Sequence, residues 1–136
     1  MGAIILDPVN ALLKDDWILR HAVPEEMIEQ ATVGVDPSGS EDAVGIVACA
    51  LLNDGRYAVP ADRTTSGSPA QWGESAVKCF DDFDADDVVV EVNFGGDMAT
   101  DVIKQAAERA RRARQQHDQD RGSDRVARQG DARGAR

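Results

Sequence analysis

The sequence predicts an α/β domain: an antiparallel three-strand meander, a parallel fourth strand and flanking helices. Three observations carry that expectation. Two apolar runs, Thr32 to Val35 and Asp42 to Leu52, are followed by "NDG" at Asn53 to Gly55, a strong hairpin signal. A helix with clear start signals then separates them from the run "DVVVEV", Asp87 to Val92. A strand reached from the meander through a helix can return parallel to the first strand.

In chain order, "NALLKDDWILRHAV" sets apolar residues at roughly helical spacing, and "PEEMIEQ" reads as a short helix with Pro24 at its first position. Residues 1–30 are therefore expected to be a helical lead-in. Arg56 to Thr64 is the strand returning from the hairpin, and "TTSGSP" is a loop. Ser68 caps the next helix, Pro69 opens it, and Trp72, Ala76, Val77 and Phe80 give it an apolar face. "DVVVEV" reads as a buried strand, "NFGGD" as a tight loop, and Met98 to about Gln116 as an Ala-rich helix. Residues 118–136 contain Val126 as their only large apolar side chain and are expected to be a disordered basic tail.

The 136 residues suit one domain. Charge is distributed unevenly along them. Residues 1–103 hold 20 acidic and 5 basic side chains, whereas residues 104–136 hold 5 acidic and 10 basic ones. No apolar run approaches the roughly 18 residues of a membrane span, and no signal-peptide pattern opens the chain. No membrane association and a cytoplasmic location are expected. Cys49 and Cys79 lie in apolar segments without metal-ligand spacing and read as buried reduced thiols. No GxxxxGK[ST] phosphate loop is present, so no P-loop ATPase is encoded.

The chemical signal is acidic. Asp36 ends an apolar strand, and Glu91 follows Val88-Val89-Val90 in a strand that reads as buried. A carboxylate there is costly unless it is paired or binds a metal. If the fourth strand lies parallel to the first, the two acids end adjacent strands. Two carboxylates so placed repel each other, and a hard divalent cation, Mg²⁺ or Mn²⁺, relieves the repulsion. Asp42, brought back by the hairpin, is a further ligand or a supporting acid. Asp97 is an accessory candidate that reads equally as a helix cap. The plain alternative is that Asp36 is a solvated turn residue. The run Asp81 to Asp87 reads as a solvated helix end, at the opposite end of the fourth strand from Glu91.

"VGVDPSGS…D…GIV", "ADRTTSGSPAQW" and "VVVEVNFGGDM" occur in this order between Val33 and Ile103. The set resembles the nuclease domain of a phage or prophage terminase large subunit. The resemblance implies a ribonuclease-H-like fold and a metal-dependent endonuclease that cuts concatemeric DNA by two-metal phosphodiester hydrolysis during packaging. It implies catalytic roles for Asp36 and Glu91, an accessory role for Asp42, and a place for Asp97 beside the active site. It makes double-stranded DNA, the portal and the small terminase subunit the expected partners, in a bacterial host cell. Residues 1–30 would resemble the junction to a motor, and residues 31–117 a partial nuclease domain. The family supplies a third catalytic Asp from a helix beyond the "GGDM" loop, and none matches here. The expectation is thus a domain lacking its C-terminal part, weak or inactive as a nuclease. The alternative is a non-catalytic ribonuclease-H-like module, or prophage remnant, that binds DNA or packaging proteins.

Overall fold

The structure, a computed structural model, describes residues 22–37, 43–93 and 96–133, with side chains of the last helix through Arg121. Residues 1–21 of the expected 1–30 lead-in, Glu41 and Asp42, and the loop residues Phe94 and Gly95 lie outside the described residues.

Strands β1 (Ile28–Asp36), β2 (Gly45–Leu52), β3 (Tyr57–Asp62) and β4 (Asp87–Val90) form one mixed sheet in the order β3-β2-β1-β4. β1 and β3 both run antiparallel to β2, and β4 runs parallel to β1. The α/β class, the meander and the parallel return are those the sequence predicts.

The start of β1 is a correction. "PEEMIEQ" makes only a 3₁₀ turn over Glu25–Met27, preceded by Pro24, and Ile28 already belongs to the strand. The ladder claims these residues. Ile28 faces Leu52, Gln30 faces Leu51, and the Asn53 N–H donates to the Met27 carbonyl at 2.9 Å. Pairing with β2 satisfies backbone groups over this length, so it overrides the helix preference of Glu and Gln.

The core sits on one face of the sheet. Val33 lies opposite Ala48 in β2 and Val88 in β4, and Val35 lies opposite Ile46 and Val90. Val33, Ile46 and Ala48 are fully buried. Helix α1 (Pro69–Asp82) covers this face. Its start is as predicted: the Gln71 N–H donates to the Ser68 hydroxyl, the Ser68 N–H donates to Gln71 Oε1 at 2.8 Å, and Pro69 occupies the first turn. Trp72, Ala76 and Cys79, spaced for one helical face, are buried among the strand residues, while Phe80 is only partly buried. Burying a large apolar side chain contributes about 1.5–3 kcal/mol, so Trp72 and its neighbours are the principal attachment of α1 to the sheet.

The opposite face is open among the described residues. Tyr57 is 84% exposed, Val59 64% and Val89 58%. β4 is therefore half-buried rather than buried, and Cys49, expected inside, is exposed. The cause is the two-residue period of a strand: with the described helices on one side only, alternate residues face away from them.

Helix α2 (Gly96–Arg133) packs on α1 through Ala99, Val102 and Ala106. It runs past Gln116, where the sequence reading closed it, to Arg133. Beyond Ala110 the described side chains are all exposed, so tertiary burial does not hold this part. Ala, Arg and Gln are strong helix formers, Glu108 and Arg112 pair at 3.6 Å across one turn, and the packed first half supplies the nucleus. The composition of the tail excludes a core but not a helix. No described helix is long and apolar enough to cross a membrane.

α1 and α2 approach closely at Gly73, where a Cβ would stand 2.8 Å from Val102 Cγ1 and 3.3 Å from the Ala106 Cβ. Val102 is β-branched and stiff in a helix, so the helices must move apart. Gly73→Ala is expected to lose about 1–2 kcal/mol in urea unfolding, overpacking outweighing the gain of about 1 kcal/mol in helix propensity. Gly34→Ala, whose Cβ would meet only Val47 at 3.4 Å, should cost less.

Candidate functional site

Asp36 and Glu91 are brought together by backbone pairing. Val35 stands beside Val90 in the parallel β1–β4 ladder, and each is followed by the acid. The Glu91 N–H donates to the Val35 carbonyl at 2.9 Å, extending the ladder one step past the last residue of β4. On its other side Asp36 pairs with Gly45. Pro37 ends the strand, because it holds the preceding residue extended and provides no N–H for further pairing.

Both side chains are exposed at the rim of the sheet. The Asp36 carboxyl is pushed above its ordinary value of 3.8, first by lost hydration, then by the negative charge of Glu91 and by a hydrogen bond between the two side chains. Lost hydration and the neighbouring negative charge both oppose ionisation of Asp36. Glu91 Oε1 also accepts from the Asn93 side-chain amide at 2.8 Å. Asn93 was not anticipated. A polar residue two positions after a strand-end acid is the only sequence signal for it, and such residues are common in loops.

The other two predicted acids are placed differently. Asp97 lies within the first turn of α2, which begins at Gly96. It is therefore a helix residue near the positive end of the helix dipole, not the cap residue proposed from sequence. The described residues contain no group of three or more His, Cys, Asp or Glu arranged to hold a metal, so Asp97 does not complete a set with Asp36 and Glu91. Asp42 lies outside the described residues.

The acidic run at the far end of β4 has structural partners. Asp81 pairs with Arg114, and Asp82 accepts from Lys78 at 2.9 Å and from Arg63 at 3.4 Å. The Ala31 N–H donates to the Asp86 side chain at 3.1 Å, and the Asp86 N–H donates to the Ala31 carbonyl at 2.8 Å. These contacts tie the sheet to α1 and α2 at the end away from Glu91.

Comparison of the chain with protein-family models, with curated proteins and with solved structures finds no match. Two hard oxygen donors of like charge on adjacent strand ends suit a hard divalent cation. Mg²⁺ in particular binds through one or two carboxylates and keeps several waters.

Because the Asp36 pKa is raised in the folded state, the fold binds its proton more tightly than the unfolded chain does. This contribution to stability is full below pH 3.8 and is lost as pH rises through the higher folded value. In thermal melts in EDTA, Asp36→Asn should gain stability relative to the wild type as pH rises from 3.8 towards neutrality. A constant offset across that range would mean that the two carboxyls do not interact.

Proposed function

We propose that the Asp36–Glu91 pair is a divalent-cation site, and that the chain is a terminase-type nuclease domain of ribonuclease-H-like fold acting on double-stranded DNA. The observation that carries this reading is the convergence of two strand-end carboxylates at the C-terminal ends of parallel neighbours. The four-strand order and the ordered motifs between Val33 and Ile103 are compatible with it.

Asp36 and Glu91 would hold Mg²⁺ or Mn²⁺, with Asn93 fixing the rotamer of Glu91. When bound, such a cation would supply an activated water and neutralise charge on a phosphodiester. Asp42 is the natural third ligand on this reading, since it lies five residues beyond Pro37 in the segment that returns to β2. With two carboxylates converged among the described residues, cation binding is the primary expectation and DNA cutting is weak or absent. The second reading is a non-catalytic module of the same fold that contacts DNA or packaging proteins. The acidic character of residues 1–103 favours it over a strongly DNA-binding enzyme.

Thermal melts with and without Mn²⁺ test the site. Mn²⁺ at 100 times its Kd should stabilise the wild type by about 2.7 kcal/mol and leave Asp36→Ala unchanged. A wild-type melt indifferent to Mn²⁺ would end the metal-site reading. Nicking of supercoiled plasmid in Mn²⁺, lost in both Asp36→Ala and Glu91→Gln, would separate the enzyme from the non-catalytic module.

A further inference from the structure

The sheet carries apolar residues on both of its faces. A sheet with one wet face alternates apolar and polar side chains, whereas strands covered on both sides read as continuous apolar runs. β2 reads Gly-Ile-Val-Ala-Cys-Ala-Leu-Leu, with no charged, amide or hydroxyl side chain in it, and β4 sets three valines in succession. The face turned away from α1 is therefore composed as if it too were covered.

The register maps that face. Leu51 pairs with Tyr57 at one end, and Gly34 lies between Val47 and Val89 at the other. At the first end, Cys49, Leu51, Tyr57 and Val59 surround an open depression of about 490 Å³, which Gln30 and Thr32 line on the β1 side. Burying a large apolar side chain contributes about 1.5–3 kcal/mol, so a cover over this depression would be well rewarded.

The chain itself offers an occupant. Residues 1–21, outside the described residues, contain the apolar clusters "AIIL" at 3–6, "ALL" at 11–13 and "WIL" at 17–19. The described chain begins at Ala22, and Gln30, early in the strand it leads into, already lines the depression. A stretch of 21 residues reaches up to roughly 70 Å, against roughly 26 Å for the eight residues of β2. Its tether lets it reach any part of the face.

Area and charge decide between this segment and a second copy. Strands about 4.8 Å apart and roughly 13–30 Å long give four of them a face on the order of 400 Å². A stable interface takes about 800 Å² from each partner. A second copy would also bring further negative charge to a face where Asp62 stands beside Val47 and Asp87 beside Thr32. A segment of the same chain gives up no translational freedom on docking, so a smaller area suffices.

We propose that residues 1–21 fold back over the open face and fill the depression beside Cys49, Tyr57 and Val59, so that one chain covers its sheet on both sides. The segment is then a layer of this domain as well as a lead-in to it. The inference does not rest on the Asp36–Glu91 site, which lies at the rim where β1 and β4 end.

Cys49 supplies the test, because it lies on the open face while Cys79 is buried in the core. The full chain is treated with Ellman's reagent in EDTA without denaturant, and the modified sites are read by peptide mass mapping. Modification at Cys49 should be at least tenfold slower than in a peptide of residues 45–53. Leu13→Gln with Trp17→Gln should restore at least tenfold of that rate at Cys49 while Cys79 stays protected, which shows that the fold survives. If the variant exposes Cys79 as well, nuclear Overhauser contacts in the wild-type chain decide, with the Trp17 indole expected against Tyr57 or Val59. Absence of those contacts, or fast modification of wild-type Cys49, would overturn the proposal. So would protection of Cys49 that is lost on dilution as a dimer dissociates in sedimentation velocity, which would assign the face to a second copy. Labelling in EDTA is independent of cation binding, so failure of this docking and failure of the cation site are read separately.

Discussion

The parallel pairing of β4 with β1 is the constraint on which the rest depends. Four residue pairs, Thr32 with Asp87 through Val35 with Val90, fix it. It requires a crossover between β3 and β4, and α1 is that crossover. It sets Val88 and Val90 beside Val33 and Val35, which gives α1 an apolar surface wide enough to cover. It also places two acids, each one residue past a core-facing valine, at the same rim. Without that register Glu91 would be a solvated loop residue with no relation to Asp36.

The pairing is held differently at its two ends. At the start of β4, Asp86 exchanges two hydrogen bonds with Ala31, and neighbouring acids meet Lys78, Arg63 and Arg114. Asp81 and Asp82 are thereby paired with cations. At the other end, Asp36 and Glu91 have only each other and the amide of Asn93 among the described contacts. Among the described residues, Lys and Arg partners gather at the first end, and none meets Asp36 or Glu91 at the second.

The sheet also leaves a strained balance of surfaces. One face is dry against α1, while the other presents Tyr57, Val59 and Val89 to solvent. α2 adds a second layer on α1 rather than covering that open face, and its described side chains beyond Ala110 are exposed. A domain of this kind has a thin core for its length, which is why the Gly73 contact between the helices matters: it lets α2 seat closely enough to bury Ala99 and Ala106.

Much of this architecture was legible in the chain. Asn53-Asp54-Gly55 declared the hairpin, Ser68-Pro69 the start of α1, and the alternation of Val and Ala the strands, because turn, cap and strand preferences act over a few residues. The candidate pair could be named from sequence because a charge at the end of an apolar run is locally anomalous. What only the tertiary structure decided were matters of partnership. β1 claimed Ile28 to Gln30 from an expected helix because β2 offered hydrogen bonds there. Cys49 faced water because no layer covers that side of the sheet among the described residues. Asp97 fell inside α2 because the helix begins one residue earlier, at Gly96. α2 continues past Gln116 to Arg133 although that stretch has few apolar residues, because helix propagation from a packed first half needs favourable residues and a nucleus but no burial.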